Sequence, residues 1–302
     1  MGEEGRRGAI PVIDMKEIPF QHMKLREACE EWGCFRVVNH GVPLVLMSEM
    51  KSVSRSILDL PLEVKKRYEC VRPRIGHIVG KENAIYESLG LYDLSSPESL
   101  KLFCSQLDVS SHQRETLRAY TEAVTGLAME IGDRVARSMG LEGRDFFKEW
   151  ACQFRMNKYS FTHETVGSGG LLAHTDPGLL TVLQDDEVVG GLEIADSSNS
   201  FIHVDSCPGT FLVNLGDTAV AWSNGRLRSV KHRVQCKEPT VRISIGGFVV
   251  PPKELAIKAP AELVDCHPPR LYIPFTYDEY KQIRSSNKMP NDEALSFLLA
   301  QS

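Results

Sequence analysis

His174 and Asp176 stand two residues apart in the stretch Leu171-Leu172-Ala173-His174-Thr175-Asp176, and His232 follows 56 positions after Asp176. On a strand, side chains at i and i+2 point to the same face, so this stretch brings an imidazole and a carboxylate to one point. His232, on what reads as another strand, supplies a second imidazole. Two imidazoles and a carboxylate on one face suit a ferrous ion and leave three coordination positions open for substrate and O₂. Softer thiolate sites would suit zinc or copper instead. The expected metal ligands, and with them the catalytic residues, are therefore His174, Asp176 and His232.

Ten residues after His232 comes Arg242, with Ser244 at i+2. A guanidinium fork and a hydroxyl on one strand face are suited to binding a carboxylate. Taken singly, each signal has a plainer reading. A lone His-Thr-Asp is more often a surface turn or cap than a metal site. His232 alone could be a satisfied strand histidine, and Arg242 alone a solvated charge. The joint order and spacing, in strand context, are what give the pattern its force.

The sequence His-x-Asp, a distant His, then Arg-x-Ser resembles the plant 2-oxoglutarate and Fe(II)-dependent dioxygenases. Trp32–Val42, Gln153–Tyr159, Val189–Glu193 and Trp222–Glu238 carry further likeness, as do Tyr86–Leu94 and Phe146–Trp150. The resemblance covers nearly the whole chain and is greatest to the auxin-oxidising subgroup. It implies Fe(II), 2-oxoglutarate as cosubstrate, O₂, and ascorbate as reductant. It also implies that Arg242 and Ser244 bind the 5-carboxylate of 2-oxoglutarate. Asn157 and Tyr159 resemble the family's Asn-x-Tyr, which implies that Tyr159 donates to the cosubstrate carboxylate and Asn157 orients the chelate. The implied reaction oxidises indole-3-acetate to 2-oxindole-3-acetate while 2-oxoglutarate is converted to succinate and CO₂. One departure stands out: a Pro-rich run commonly follows that Tyr, whereas this chain has Ser160-Phe161-Thr162-His163. That departure weakens any transfer of substrate from flavonoid or gibberellin enzymes. Two other functions stay open: a dioxygenase for another small plant acid such as a gibberellin, and a non-enzymatic metal-binding jelly-roll. Arg242 and Ser244 argue against the latter, which needs no 2-oxoglutarate clamp.

Strand parity extends the site. If Asn157 and Tyr159 face the metal, so do Arg155 and Phe161; if Arg242 and Ser244 do, so do Gly246, Phe248 and Val250. Arg155, Phe161, Phe248 and Val250 are thus the expected substrate-binding residues, with Gly246 leaving room. A cation beside an apolar aromatic wall fits an aryl-acetic acid. In the plainer reading Arg155 pairs with a barrel carboxylate, and the anchor falls to Arg72, Arg74 or His77. His40, between Asn39 and Gly41, reads as a structural histidine because no carboxylate stands at ligand spacing.

The 302 residues are 42% hydrophobic and 25% charged, with a net charge of −5. That composition is ordinary for a globular protein, and with no basic tract nucleic acid is not an expected partner. The eight cysteines (29, 34, 70, 104, 152, 207, 236 and 266) lack Cys-x-x-Cys spacing and read as reduced thiols of a cytoplasmic enzyme. Met1-Gly2 suggests myristoylation, but Arg6 stands where Ser or Thr is required. No apolar run is long enough to span a bilayer, so no membrane partner is expected.

The elements that must position these residues follow from periodicity. A short strand at Ile10–Asp14, a helix over Met23–Trp32, a strand over Cys34–His40 and a helix opened by Pro43 come first. Residues 70–108 are dense in turn signals and read as an extended loop over the barrel mouth. Ser110–Gly140 is a long helix by its 3–4-residue apolar steps, with a start signal in Ser111 and Arg114-Glu115. From Gln153 the period becomes 2, giving strands at 153–161, 179–184, 191–194, 201–204, 209–215, 219–222, 229–235 and 242–250. Tyr277–Arg284 and Asp292–Leu299 read as closing helices. The expected class is α+β, a double-stranded β-helix (jelly-roll) core with flanking N-terminal and C-terminal helices. The expected organisation is one compact unit: a mostly helical region 1–150, a jelly-roll core 151–255 and a helical closure 256–302.

Overall fold

The computed structural model describes residues 10–17, 20–68, 76–80, 85–91, 97–142, 146–264, 269–286 and 291–300. The chain opens with β1 (Val12–Asp14), α1 (His22–Glu27), a π-helical turn over Ala28–Trp32, and β2 (Cys34–Val38). Then come α2 (Leu44–Leu58), α3 (Leu62–Lys65), β3 (Gly76–Val79), β4 (Tyr86–Leu91), α4 (Pro97–Gln106) and α5 (Ser111–Ser138). The strand-rich half holds β5 (Ala151–Ser160), β6 (Gly169–His174), β7 (Leu180–Gln184), β8 (Leu192–Ala195), β9 (Phe201–His203) and β10 (Phe211–Leu215). A helix, α6 (Asp217–Trp222), precedes β11 (His232–Gln235) and β12 (Val241–Val250). β13 (Ala256–Ile257), β14 (Phe275–Thr276), α7 (Tyr277–Ser286) and a 3₁₀ segment over Asn291–Leu298 close the chain.

Two sheets make the double-stranded β-helix. The larger runs β1-β2-β10-β7-β12-β5-β4-β3, the smaller β6-β11-β8-β9. Cys34, Tyr159, Phe161 and Leu212 of the larger sheet pack with Leu192, Ile194 and Val234 of the smaller to fill the space between them. The alternate residues Phe154, Met156, Ile243 and Ile245 face the other way, into the main core with Leu25, Met50, Leu117 and Val124 from α1, α2 and α5. This alternation is what assigns the central side chains of β5 and β12 to the site or to the helices.

Several local expectations need correction. α5 is capped by Ser110, one residue before the expected signal: its Oγ accepts from Gln113 N at 3.2 Å, and Gln113 Oε1 accepts from Ser110 N at 2.9 Å. That reciprocal pair is a capping box, and Arg114-Glu115 has no part in it. The stretch 219–222, expected as a strand, is inside α6. Its Ala-Val-Ala-Trp composition suits either element. The decision lies at Gly216, where a Cβ would stand 2.6 Å from Asp176 O and 2.3 Å from Gly178 O. The chain turns there in close contact with the Asp176 loop, and the helix starts at the next residue.

The turn-rich stretch 70–108 is not simply a loop. β3 and β4 form a hairpin that extends the large sheet beside β5, and α4 follows. Leu89 and Leu91 are buried in the helix-side core while Tyr86 packs against the inter-sheet cluster, an alternation that Ser88 and Gly90, small residues on the inner face, hide in the sequence. The structural reading of His40 agrees with its surroundings: Nε2 lies 3.0 Å from Gly209 O, and Nδ1 accepts from Val42 N at 3.2 Å.

Candidate metal centre

His174 is the last residue of β6 and His232 the first of β11, and the two are direct antiparallel partners. Their ring centroids lie 4.3 Å apart. Asp176 lies two residues beyond the end of β6, not on the strand as expected, yet its Oδ1 stands 3.7 Å from His174 Nε2 and 4.0 Å from His232 Nε2. A β-bulge makes this possible. Between the pairs Val234↔Leu171 and His232↔His174, β6 advances three residues while β11 advances two. Leu171 and His174 therefore both reach the inner side, and Leu172 is thrown out, 71% exposed.

The imidazoles are aimed by their other nitrogens. His174 Nδ1 lies 2.8 Å from Leu172 O and His232 Nδ1 3.2 Å from Val230 O. Each Nδ1 as donor leaves Nε2 as the free lone pair, the tautomer a metal ligand needs. Burial, then the neighbouring His232, push His174 down to about 4, so its ring is neutral at physiological pH. Burial pulls Asp176 upward, but His232, His174 and the Thr181 hydroxyl outweigh it and hold the carboxyl below its ordinary value. Thr181 Oγ1 donates to Asp176 Oδ2 at 2.5 Å, which leaves Oδ1 toward the imidazoles.

A second cluster lies along the same face. Arg242 (1% exposed) is over the Tyr159 ring, 5.0 Å from its centroid. Its Nη2 donates to Asp185, and its Nε and Nη1 are buried without a partner. Asp185 outweighs the effect of burial and raises Arg242, which stays charged. Two orphaned donors on a buried cation fit the far carboxylate of a dicarboxylic cosubstrate. Asn157 Nδ2 donates to Ser244 Oγ at 3.3 Å, and Tyr86 Oη donates to Asn157 Oδ1 at 3.0 Å. Burial above all raises Tyr159, which keeps its phenolic proton and can donate it.

The four expected substrate residues do not converge on one wall. Arg155 is on the inner face, opposite Gly246 and Gly90, and donates from Nη1 to Ser88 Oγ at 3.1 Å. Phe248 pairs with Thr181 and so lies at the Asp176 end of β12. Gly246 does not leave open space: a Cβ there would be 2.9 Å from the Phe248 ring. Phe161 is at the opposite end, stacked 5.8 Å from Tyr159 inside the inter-sheet cluster. Val250 is buried in the C-terminal cluster with Ile257, Phe275 and Tyr280, on which Phe248 rests. Of the alternative anchors, Arg72 and Arg74 lie outside the described residues. His77 shares the helix-side face of Leu89, with Nε2 2.6 Å from Glu87 Oε1, and is turned away from the metal.

Thr181, Asp185, Tyr86 and Ser88 are site residues that sequence reasoning missed. Asp185 falls just past the strand expected at 179–184. Thr181 sits in an apolar run, where only strand pairing reveals its face.

Residues 150–251 match the model of the 2OG-Fe(II) oxygenase superfamily, and residues 10–122 that of the N-terminal region of non-haem dioxygenases in morphine synthesis. A 2-oxoglutarate-dependent dioxygenase of rice, Oryza sativa subsp. indica, is 47% identical over 96% of this chain and 99% of its own. The chain belongs to the 2-oxoglutarate- and Fe(II)-dependent oxygenase superfamily. The oxygenase is likewise similar in structure to the crystallised rice dioxygenase for auxin oxidation, with a TM-score of 0.90 and 45% identity, covering 97% of this chain and 100% of that one. It is similar too to dioxygenase for auxin oxidation 1 of Arabidopsis thaliana in its 2-oxoglutarate complex, with a TM-score of 0.83 and 50% identity over 87% of this chain and all of that one. Its cofactors are Fe(II) and 2-oxoglutarate, with O₂ as oxidant, and the His174–Asp176–His232 set fits that chemistry. Among the described residues no helix is long and apolar enough to cross a membrane.

Proposed function

We propose that this oxygenase oxidises indole-3-acetate to 2-oxindole-3-acetate, with 2-oxoglutarate converted to succinate and CO₂. The observation that carries the proposal is the near full-length similarity, at 47% identity, to a rice dioxygenase whose counterpart crystal structure is named for auxin oxidation. One oxygen atom of O₂ enters succinate and the other the indole ring, so the reaction balances without a further reactant.

The bound ferrous ion supplies the redox chemistry, activation of O₂ coupled to decarboxylation of the cosubstrate. The chain's residues supply position and exclusion of water. In this reading His174 and His232 present Nε2 and Asp176 presents Oδ1. Arg242 and Ser244 take the far carboxylate of 2-oxoglutarate, while Tyr159 donates to it and Asn157 orients the near end. Arg155 takes the carboxylate of indole-3-acetate. Phe248, resting on the cluster that contains Val250, forms the apolar wall; Phe161 closes the cosubstrate end. A cytosolic location belongs to the same proposal, supported by the free thiols of the six described cysteines.

The test is incubation with 2-oxoglutarate, Fe(II) and ascorbate, scoring succinate and the oxidised acid for indole-3-acetate, a gibberellin and a jasmonate in parallel. Succinate formation stimulated by indole-3-acetate well above the other two is expected. Stimulation by a gibberellin or a jasmonate instead would replace the substrate and leave the oxygenase chemistry standing.

A further inference from the structure

The turn between two metal ligands is gripped from behind by the C-terminal helix. Arg284 of α7 donates from Nη2 to Thr175 O at 2.7 Å and from Nη1 to Thr175 Oγ1 at 3.2 Å. It also pairs with Asp217, the first residue of α6. Asp217 Oδ2 accepts from Thr175 Oγ1 at 3.1 Å and from Tyr280 Oη at 2.6 Å. The backbone N–H of Asp217 donates to Asp176 O at 2.8 Å. Thr175, Asp217, Tyr280 and Arg284 are all buried. The hydroxyl and the carbonyl of Thr175, and the carbonyl of Asp176, are thus fixed by residues from two other elements.

A buried ion pair is weak ground for stability, because well-packed apolar residues often do as well in its place. Its geometry is the informative part. The middle residue of His174-Thr175-Asp176 has no route to the metal itself, yet its hydroxyl and its carbonyl are both held by buried bonds. Partners behind a ligand set its orientation, and losing them commonly weakens metal binding about 10–100-fold. We propose that Arg284 and Asp217 are positioning residues for the metal centre: by holding Thr175 they aim His174 and Asp176, so that metal affinity depends on the docked C-terminal helix. α7 also packs Ile283 against the cluster on which Phe248 rests, so one helix braces both the metal turn and the proposed substrate wall. The inference rests on the metal-centre reading of His174, Asp176 and His232.

The experiment is anaerobic titration of the full-length apoprotein with Co(II), following its visible absorption bands, beside thermal unfolding by circular dichroism. The double variant Arg284→Met with Asp217→Asn removes both charges and leaves neither buried alone. Thr175→Val, nearly isosteric, removes only the hydroxyl. The double variant is expected to fold and to bind Co(II) about 10–100-fold more weakly, with altered band shape. Thr175→Val should show a smaller loss in the same direction, and affinity for 2-oxoglutarate at saturating Co(II) should hold in both. Unchanged Co(II) affinity and spectrum in the folded double variant, or in Thr175→Val if the double variant does not fold, overturns the inference. His174→Ala is the control: binding equal to wild type there would overturn the metal-centre reading itself, whatever the clamp does.

Discussion

His174 and His232 are cross-strand partners whose rings meet at 4.3 Å, each with Nδ1 directed to the carbonyl two residues before it. Backbone carbonyls therefore set the tautomer of both rings, and Asp176 completes the set from a turn. Replacing any of the three by Ala should abolish metal-dependent succinate production while far-UV circular dichroism stays native. A variant that kept most of its turnover would remove that residue from the ligand set.

Thr181 offers a milder perturbation. Thr181→Val keeps the shape and removes the donor to Asp176 Oδ2. Metal affinity should fall about 10–100-fold, the usual effect of losing a bond behind a ligand. Co(II) titration reads this directly, and an unchanged affinity would leave Thr181 as mere packing.

Arg242→Ala should raise the 2-oxoglutarate requirement far more than the substrate requirement. Truncating one partner of a buried charge pair costs about 2–5 kcal/mol, a decade or more in binding. Part of that cost would come from Asp185 left unpaired. Arg242→Met with Asp185→Asn separates the two: stability should recover and 2-oxoglutarate binding should not. Equal effects on both ligands would contradict the assignment.

Arg155→Met is similar in length and uncharged. Binding of indole-3-acetate should weaken sharply, 2-oxoglutarate binding should barely change, and the amide of the substrate should suffer less than the acid. If acid and amide suffer equally, Arg155 is not the carboxylate anchor.

The metal-free protein should be acid-labile. His174 is held at about 4 when folded, against about 6.5 in an unfolded chain. Between those values the unfolded state binds the extra proton, so stability falls as pH drops from about 6.5 to about 4. Asp176, held below its ordinary value, adds a loss at still lower pH. Denaturant unfolding at stepped pH should show this slope, and His174→Asn should flatten it; a slope identical in both would assign it to other groups.

The jelly-roll and the shared face of Arg242 and Ser244 were legible because each depends on a period of two; the His-Asp-His cluster was legible from residue types with few other uses, although Asp176 sits in a turn beyond β6 and not on the strand. What stayed hidden depends on pairing between distant strands. Thr181 meets Asp176 across a turn, Asp185 meets Arg242 across 57 positions, and the β3–β4 hairpin shows itself only once β4 lies on β5. The same parity rule that placed Arg155 on the inner face could not tell that Phe161 and Phe248 sit at opposite ends of the antiparallel β5–β12 pair. Face is local information; position along the barrel is set by register, which sequence spacing alone does not carry.

The bulge gives β6 one residue more than β11 needs between the pairs Val234↔Leu171 and His232↔His174. One residue removed between Leu171 and His174 would make that step regular and leave both side chains on the inner face, because residues i and i+2 share a face. The imidazole at 174 would stay opposite His232, and only the outward-turned residue of the bulge would be lost. Loss of either Leu172 or Ala173 should therefore disturb metal binding less than loss of Thr175, which sets the spacing of two ligands.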